Sequence, residues 1–195
     1  MVEFVLCMSL VWVPLFFGTL VLGFNLVRAM EVTQVCRDAG HMYAYGTDFS
    51  QPAYQNLLVN LAPTLHMTTS GGNGVVVLST IIYADKAACN GAGLTNNCPN
   101  LGKAVITRRI VIGNSSLHDS AFGSLRNSGL MDSSGNISPT NYLSDSRAVA
   151  QNFLSIIPLQ SSVQFAYLAE MWVTSPDYNW WSFIGNGGSS ARAIF

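Results

Sequence analysis

The chain has 195 residues, of which 49% are apolar and only 10% charged, against about a quarter charged in typical soluble domains. A net charge of −1 leaves no electrostatic footprint for nucleic acid, and the scattered His41, His66 and His118 form no motif. Weak charge, high apolar content and an Asn/Gly/Ser-rich second half suit an extracytoplasmic protein.

The first element is a long apolar run. Residues 4–24 carry no formal charge, and Glu3 stands alone at their head. About 20 apolar residues suffice to cross the hydrocarbon core of a bilayer as a helix. A carboxylate at the tip is costly unless it meets water, a headgroup or a positive partner.

Three readings compete. A cleavable secretory signal needs a basic n-region, a shorter apolar stretch and a small-residue cleavage site. The run here has an acidic start, is too long and ends in Asn25-Leu26-Val27-Arg28. A plain membrane anchor fits the length but leaves Glu3 unexplained. Its flanking charge, Arg28, would hold the C-terminal end in the cytoplasm, whereas the polar remainder argues the reverse. A basic leader, since removed, would resolve that conflict. In the third reading, the helix is stored in a membrane and then packed against copies of itself, where Glu3 neutralises a neighbour's amino terminus.

Past Arg28 the apolar positions become Val32, Val35, Cys36, Ala39, Met42 and Tyr43, a stripe on one helix face. Residues 1–45 therefore read as one helix, apolar all round over 1–25 and amphipathic over 26–45. Pro14 removes one backbone donor and predicts a kink or local unwinding. Gly18 and Gly23 each weaken the helix by about 1 kcal/mol relative to Ala.

Residues 46–195 are enough for one globular domain. Ser50 is placed to cap a helix over 51–61, with Pro52 in its first turn and Pro63 beyond its end. After Ser70-Gly-Gly-Asn-Gly74, β-branched residues predict a strand over 75–83 and another over 103–112. They form an antiparallel pair whose connection contains Cys89 and Cys98. In an oxidising compartment these two read as a local disulfide. Cys7 and Cys36 lie about 43 Å apart on a continuous helix and cannot bridge within one chain; a bridge between staggered copies is the alternative to the expected role of both as small apolar residues. Residues 114–160 read as a long polar excursion with a helical patch near 146–156. Strands follow over 163–173 and 191–195. The expected fold class is α+β: a lollipop whose long N-terminal helix packs its C-terminal half on a small, mostly antiparallel sheet.

No catalytic constellation stands out: there is no G-x-S-x-G, H-E-x-x-H or phosphate loop. An enzyme is not expected, nor a cofactor, a metal or, without C-x-x-C-H, covalent haem. Asp132-Ser-Ser-Gly-Asn136 lacks the spacing and terminal Glu of a calcium loop and reads as a solvated turn. Asn114-Ser-Ser and Asn136-Ile-Ser are N-x-[ST] triplets on predicted loops, hence candidate glycosylation acceptors, although such triplets are frequent by chance in an Asn/Ser-rich chain. Trp172, Tyr178, Trp180, Trp181 and Phe183 suit a packed sheet edge or subunit contact, with surface or glycan binding as the alternative.

The opening Met1-Val2-Glu3-Phe4, the apolar run and Pro14 resemble the mature N-terminus of type IV pilin-like proteins, closest to the TadE-like group of tight-adherence systems. Gly74-Val-Val-Val-Leu-Ser-Thr-Ile81 and Ala191-Arg-Ala-Ile-Phe195 resemble that group as well. The resemblance is specific over residues 1–45 and looser beyond. Glu3 lies nearer the start than the family spacing places it. The resemblance implies a structural subunit of an extracellular pilus-like filament, with Glu3, Phe4, Pro14 and Gly18 in the assembly segment. It also implies a membrane-inserted precursor, a prepilin peptidase and pilus assembly machinery as partners, and a second copy of the same chain as principal contact. The alternatives are a minor pseudopilin or membrane-anchored assembly factor, and an anchored exported binding protein.

Overall fold

A computed structural model describes residues 2–61, 63–95, 97–174 and 188–195, with side chains from Cys7 onward. The Glu3 and Phe4 side chains, and all of Tyr178, Trp180, Trp181 and Phe183, lie outside the described residues.

The chain is α+β. Helix α1 (Val2–Ala44) is followed by α2 (Pro52–Leu61) and a 3-10 turn (Pro63–Leu65). A two-residue hairpin, β1 (Met67–Thr68) with β2 (Gly71–Gly72), leads into β3 (Gly74–Tyr83). Then come α3 (Lys86–Gly91), β4 (Ala104–Gly113) and α4 (Pro139–Ser144). Two 3-10 turns (Ser146–Ala148 and Phe153–Ser155) precede β5 (Phe165–Thr174) and β6 (Gly188–Ile194).

The main sheet has the order β4-β3-β5-β6 with every pair antiparallel. Strand β3 is central and buried along nearly its whole length, as its run of Val, Leu and Ile requires. Strand β5 is the other central strand, which accounts for its loose alternation. A register shift between Thr80 and Ile81 moves the pairing from Thr80↔Arg108 to Ile81↔Ile106. This bulge leaves Ile106 and Arg109 on the same face although they are three residues apart.

One face of the sheet receives the C-terminal half of α1 together with α2. Val32, Val35, Cys36, Ala39 and Tyr43 pack with Val76, Leu78, Ile110, Ile112, Ala169, Met171 and Val173. The stripe read from the sequence is thus the buried face, with Met42 half-buried at its margin. Tyr43 lies beside Thr80 and Tyr167, whereas Cys36 lies beside Ala169 and Ala191. Helix α1 therefore runs antiparallel to β5, and its N-terminal half leaves the head past the end of the sheet formed by Gly74, Gly113 and Thr174.

The other face is covered by residues 114–160, which corrects the expectation of a polar excursion. Phe122, Leu125, Ile137, Ala148, Phe153 and Leu159 are buried against Ile81, Ile106, Ala166 and Leu168. These apolar residues are spaced irregularly among Ser, Asn and Gly, so they form a layer without making a periodic signal. Only short turns of helix occur within it.

Two local expectations also shift. The Ser50 hydroxyl donates to Asp48 Oδ1 (2.9 Å) instead of capping α2, which begins two residues later at Pro52. Helix α1 continues unbroken through Pro14, so the unwinding expected there is absent. Among the described residues, the core packing falls on the C-terminal half of α1, and none of it pulls the Pro14 region out of helix.

Candidate functional site

The feature that calls for a function is the N-terminal half of α1. Large apolar side chains are exposed around its whole circumference, among them Leu10, Val11, Trp12, Leu15, Phe16 and Leu22. Leu10 retains 75% of its accessible surface and Trp12 60%, so nothing among the described residues covers either side chain. The helix is long and apolar enough from Cys7 onward to cross a membrane by length and composition. Among the described residues, nothing lies within 4 Å of a β-carbon built at Gly18 or Gly23, so neither glycine is required by a described contact. Thr19 turns its hydroxyl back onto the Phe16 carbonyl (2.8 Å), satisfying a polar group that would otherwise face an apolar surround.

The projection is held at its base by a series of contacts with the head. Arg28, almost fully buried, donates to the Thr64 carbonyl at 3.4 Å. The Thr64 hydroxyl donates in turn to Glu31 at 2.7 Å, so the turn after α2 clasps α1 where it leaves the head. Lower down, Cys36 Sγ lies 3.4 Å from the Ala169 carbonyl oxygen, at the seam over β5 and β6. The hydroxyls of Tyr43 and Thr80 are 2.7 Å apart, and the Tyr43 ring meets Tyr167 edge-on at 5.6 Å. Just past the helix, Asp48 pairs with Arg108 on β4. The Arg108 contact, with the Ser50 hydroxyl behind it, holds the Asp48 carboxyl below the usual carboxylate range.

The opposite sheet face carries a polar layer that sequence reading missed. Arg109 is buried, and its guanidinium donates to Ser79 Oγ (2.9 Å), to the Gly123 carbonyl (3.1 Å) and to the Phe122 carbonyl. Burial lowers its pKa to about 10. Beside it, buried Glu170 accepts from Arg192 (3.0 Å) and from the Ser120 hydroxyl, while the Arg192 guanidinium sits 4.8 Å from the centre of the Phe122 ring. These groups fasten the 114–125 segment to the sheet. Adjacent Arg108 and Arg109 point to opposite faces, and only the strand register reveals which is buried.

The remaining sequence candidates fall into separate places. Cys89 and Cys98 form a disulfide, with S–S 2.05 Å and Cα atoms 6.0 Å apart. It closes the β3–β4 connection, which carries the short helix α3 in place of an open loop. Cys7 and Cys36 are free, the first exposed and the second buried among apolar residues. Asp132 folds its loop onto itself: Oδ1 accepts from the backbone N–H of Ser134 and of Asn136, both at 2.8 Å. Asn114 follows β4 at the end of the sheet from which α1 projects, and Asn136 sits opposite Arg108 further along. Trp172 stacks on His118 with ring centres 5.0 Å apart.

No family profile, curated protein or solved structure matches the chain.

Proposed function

We propose that this protein is the structural subunit of an extracellular type IV pilus-like filament of the TadE-like kind, polymerising through its apolar N-terminal helices. The carrying observation is the naked apolar half of α1, projecting from a head that is otherwise packed on both faces. Burying one Leu, Val, Phe or Met contributes about 1.5–3 kcal/mol relative to water. Four such side chains left in water would forgo about 6–12 kcal/mol, as much as the whole stability of a domain. A membrane satisfies this need before export. Outside it, only a bundle of like helices does.

In this reading residues 1–25 form the filament core and the sheet domain its outer surface. Before assembly the helix sits in the inner membrane with the head on the non-cytoplasmic side. Glu3 pairs with the amino terminus of an adjacent subunit, which gives the carboxylate a partner inside an apolar core and sets the axial register between copies. Pro14 and Gly18 supply a stretch whose backbone yields at low cost during packing.

The test is Glu3→Ala. The variant is expected to remain in the membrane at normal level while filament yield falls sharply. Filaments at the unsubstituted yield would refute the role of Glu3.

A further inference from the structure

We propose that Asn114 is the acceptor of an N-linked glycan and that Asn136, in the same triplet pattern, is not. The two sequons differ in how the fold holds them. At Asn114 the side chain closes a turn on its own hydroxyl residue: Oδ1 accepts from the Ser116 hydroxyl at 2.6 Å and from the Ser116 backbone N–H at 3.0 Å. Both bonds draw electron density toward the carboxamide oxygen and make the Nδ2 hydrogens more acidic. Nδ2 itself has one long contact, 3.3 Å to the Gly72 carbonyl, so a hydrogen remains for removal. Ser115 and Ser116 are exposed and Asn114 is half-buried; none of the three is part of the apolar core, and Asn114 is tied to the sheet through its N–H on the Gly74 carbonyl (2.9 Å).

Asn136 is built in the opposite sense. Its Nδ2 makes a contact of the same length as that of Asn114, 3.3 Å to Asp132 Oδ2, but its Oδ1 accepts nothing from its own Ser138, and the residue after it is fixed in the core. The middle residue, Ile137, is buried in the layer over the sheet, and its N–H donates to the Thr107 carbonyl at 2.8 Å. Ser138 leads directly into Pro139 at the start of α4. An enzyme taking up this triplet must first pull Ile137 out of the core, whereas Asn114 is offered on a surface turn.

The chemistry needs a lipid-linked diphosphate sugar and a membrane transferase that presents it. Asn114 Nδ2 forms a bond to the anomeric carbon, and the bond from that carbon to the phosphate oxygen breaks. The lipid diphosphate leaves with the electron pair, and the amide proton passes to a base of the transferase. Such a donor works at a membrane surface, and Asn114 sits at the end of the sheet nearer the apolar half of α1. The inference shares with the filament reading only the placement of the head outside the cytoplasm, and it is read out independently of assembly.

The experiment is peptide mass spectrometry on the full chain isolated from its own cells, before and after amidase release of N-glycans. The expected result is a carbohydrate mass on the Asn114 peptide, removed by the amidase with conversion of Asn114 to Asp, and an unmodified Asn136 peptide. Ser116→Ala is expected to abolish the adduct, Ser116→Thr to keep it, and Asn136→Gln to leave it unchanged. A retained Cys89–Cys98 disulfide in each variant shows that the head has folded. An unmodified Asn114 peptide, a glycan that survives both the amidase and Asn114→Gln, or equal occupancy at Asn136 would each overturn the proposal.

Discussion

The Phe195 ring occupies the space that a side chain at Gly40 would need. The two meet where the last turns of α1 cross the edge of the sheet, with His41 4.3 Å from the same ring, and a β-carbon on Gly40 would also stand 3.1 Å from Ala169 Cβ. Phe195 thus locks α1 beside β6, and the absence of a side chain at Gly40 makes the lock possible.

Gly40→Leu should therefore destabilise the head by about 1–3 kcal/mol, the usual range for overpacking. Gly40→Ala should be milder: a helix-propensity gain of about 1 kcal/mol opposes the crowding, although the Phe195 backbone, bonded in both directions to Tyr167 (2.9 Å each), limits how far its ring can give. Denaturant unfolding of the detergent-solubilised chain measures both. Equal stability of Gly40→Leu and the unsubstituted protein would remove the lock.

Asp85 ties two distant segments together. It caps α3 by accepting from the Ala88 N–H (2.7 Å), and it accepts from the N–H and hydroxyl of Ser162 ahead of β5 (2.9 and 2.8 Å). The Ala88 and Ser162 bonds hold its carboxyl below the usual carboxylate range. A carboxylate depressed in the fold stabilises it at any pH above the unfolded value of about 3.9, and this contribution is lost as pH falls through the lower folded value. Asp85→Asn should flatten that acid limb, and Asp85→Ala should cost about 0.5–2 kcal/mol at neutral pH from the lost cap alone. Thermal melts from neutral to acid pH test both expectations.

Arg109 makes three fixed contacts that a lysine cannot reproduce. Arg109→Lys should leave carbonyls of Phe122 and Gly123 unsatisfied and cost about 1–3 kcal/mol. The 119–125 segment should become a preferred site of limited proteolysis, since Arg109 fastens it to β4. Unchanged cleavage there would show that the Glu170 contacts suffice.

The Cys89–Cys98 bridge closes a short loop, sequence separation 9, for which chain-entropy arguments give about 2–3 kcal/mol. Mass spectrometry should find the two cysteines linked and gaining two hydrogens on reduction. Replacing both with Ser should lower the unfolding midpoint while leaving the core under α1 intact, because the loop lies at the end of the sheet away from the projecting helix.

Much of the fold was legible because periodicity carries it. Val32, Val35, Cys36, Ala39 and Tyr43 repeat at helical spacing and are the residues α1 buries. The β-branched runs of β3 and β4 name their strands, and the hairpin between them follows from their separation. The layer over 114–160 was not legible: Phe122, Leu125 and Ile137 are single apolar residues in polar surroundings, and only the sheet beneath gives them a common side with Phe153. Arg109 and Glu170 were hidden for a related reason, since a charge in a strand reads as solvent-facing until a second layer covers that face. Within the assembly segment, the length and apolar character of the helix were legible, and the unbroken course through Pro14 was not.

The central claim is that the bare half of α1 is covered by copies of itself. The most direct measurement is electron microscopy of the sheared cell-surface fraction, with mass spectrometry of any filaments in it. The account predicts filaments whose mass is mainly this chain. A chain that stays wholly in the membrane fraction, absent from every surface filament, would contradict it.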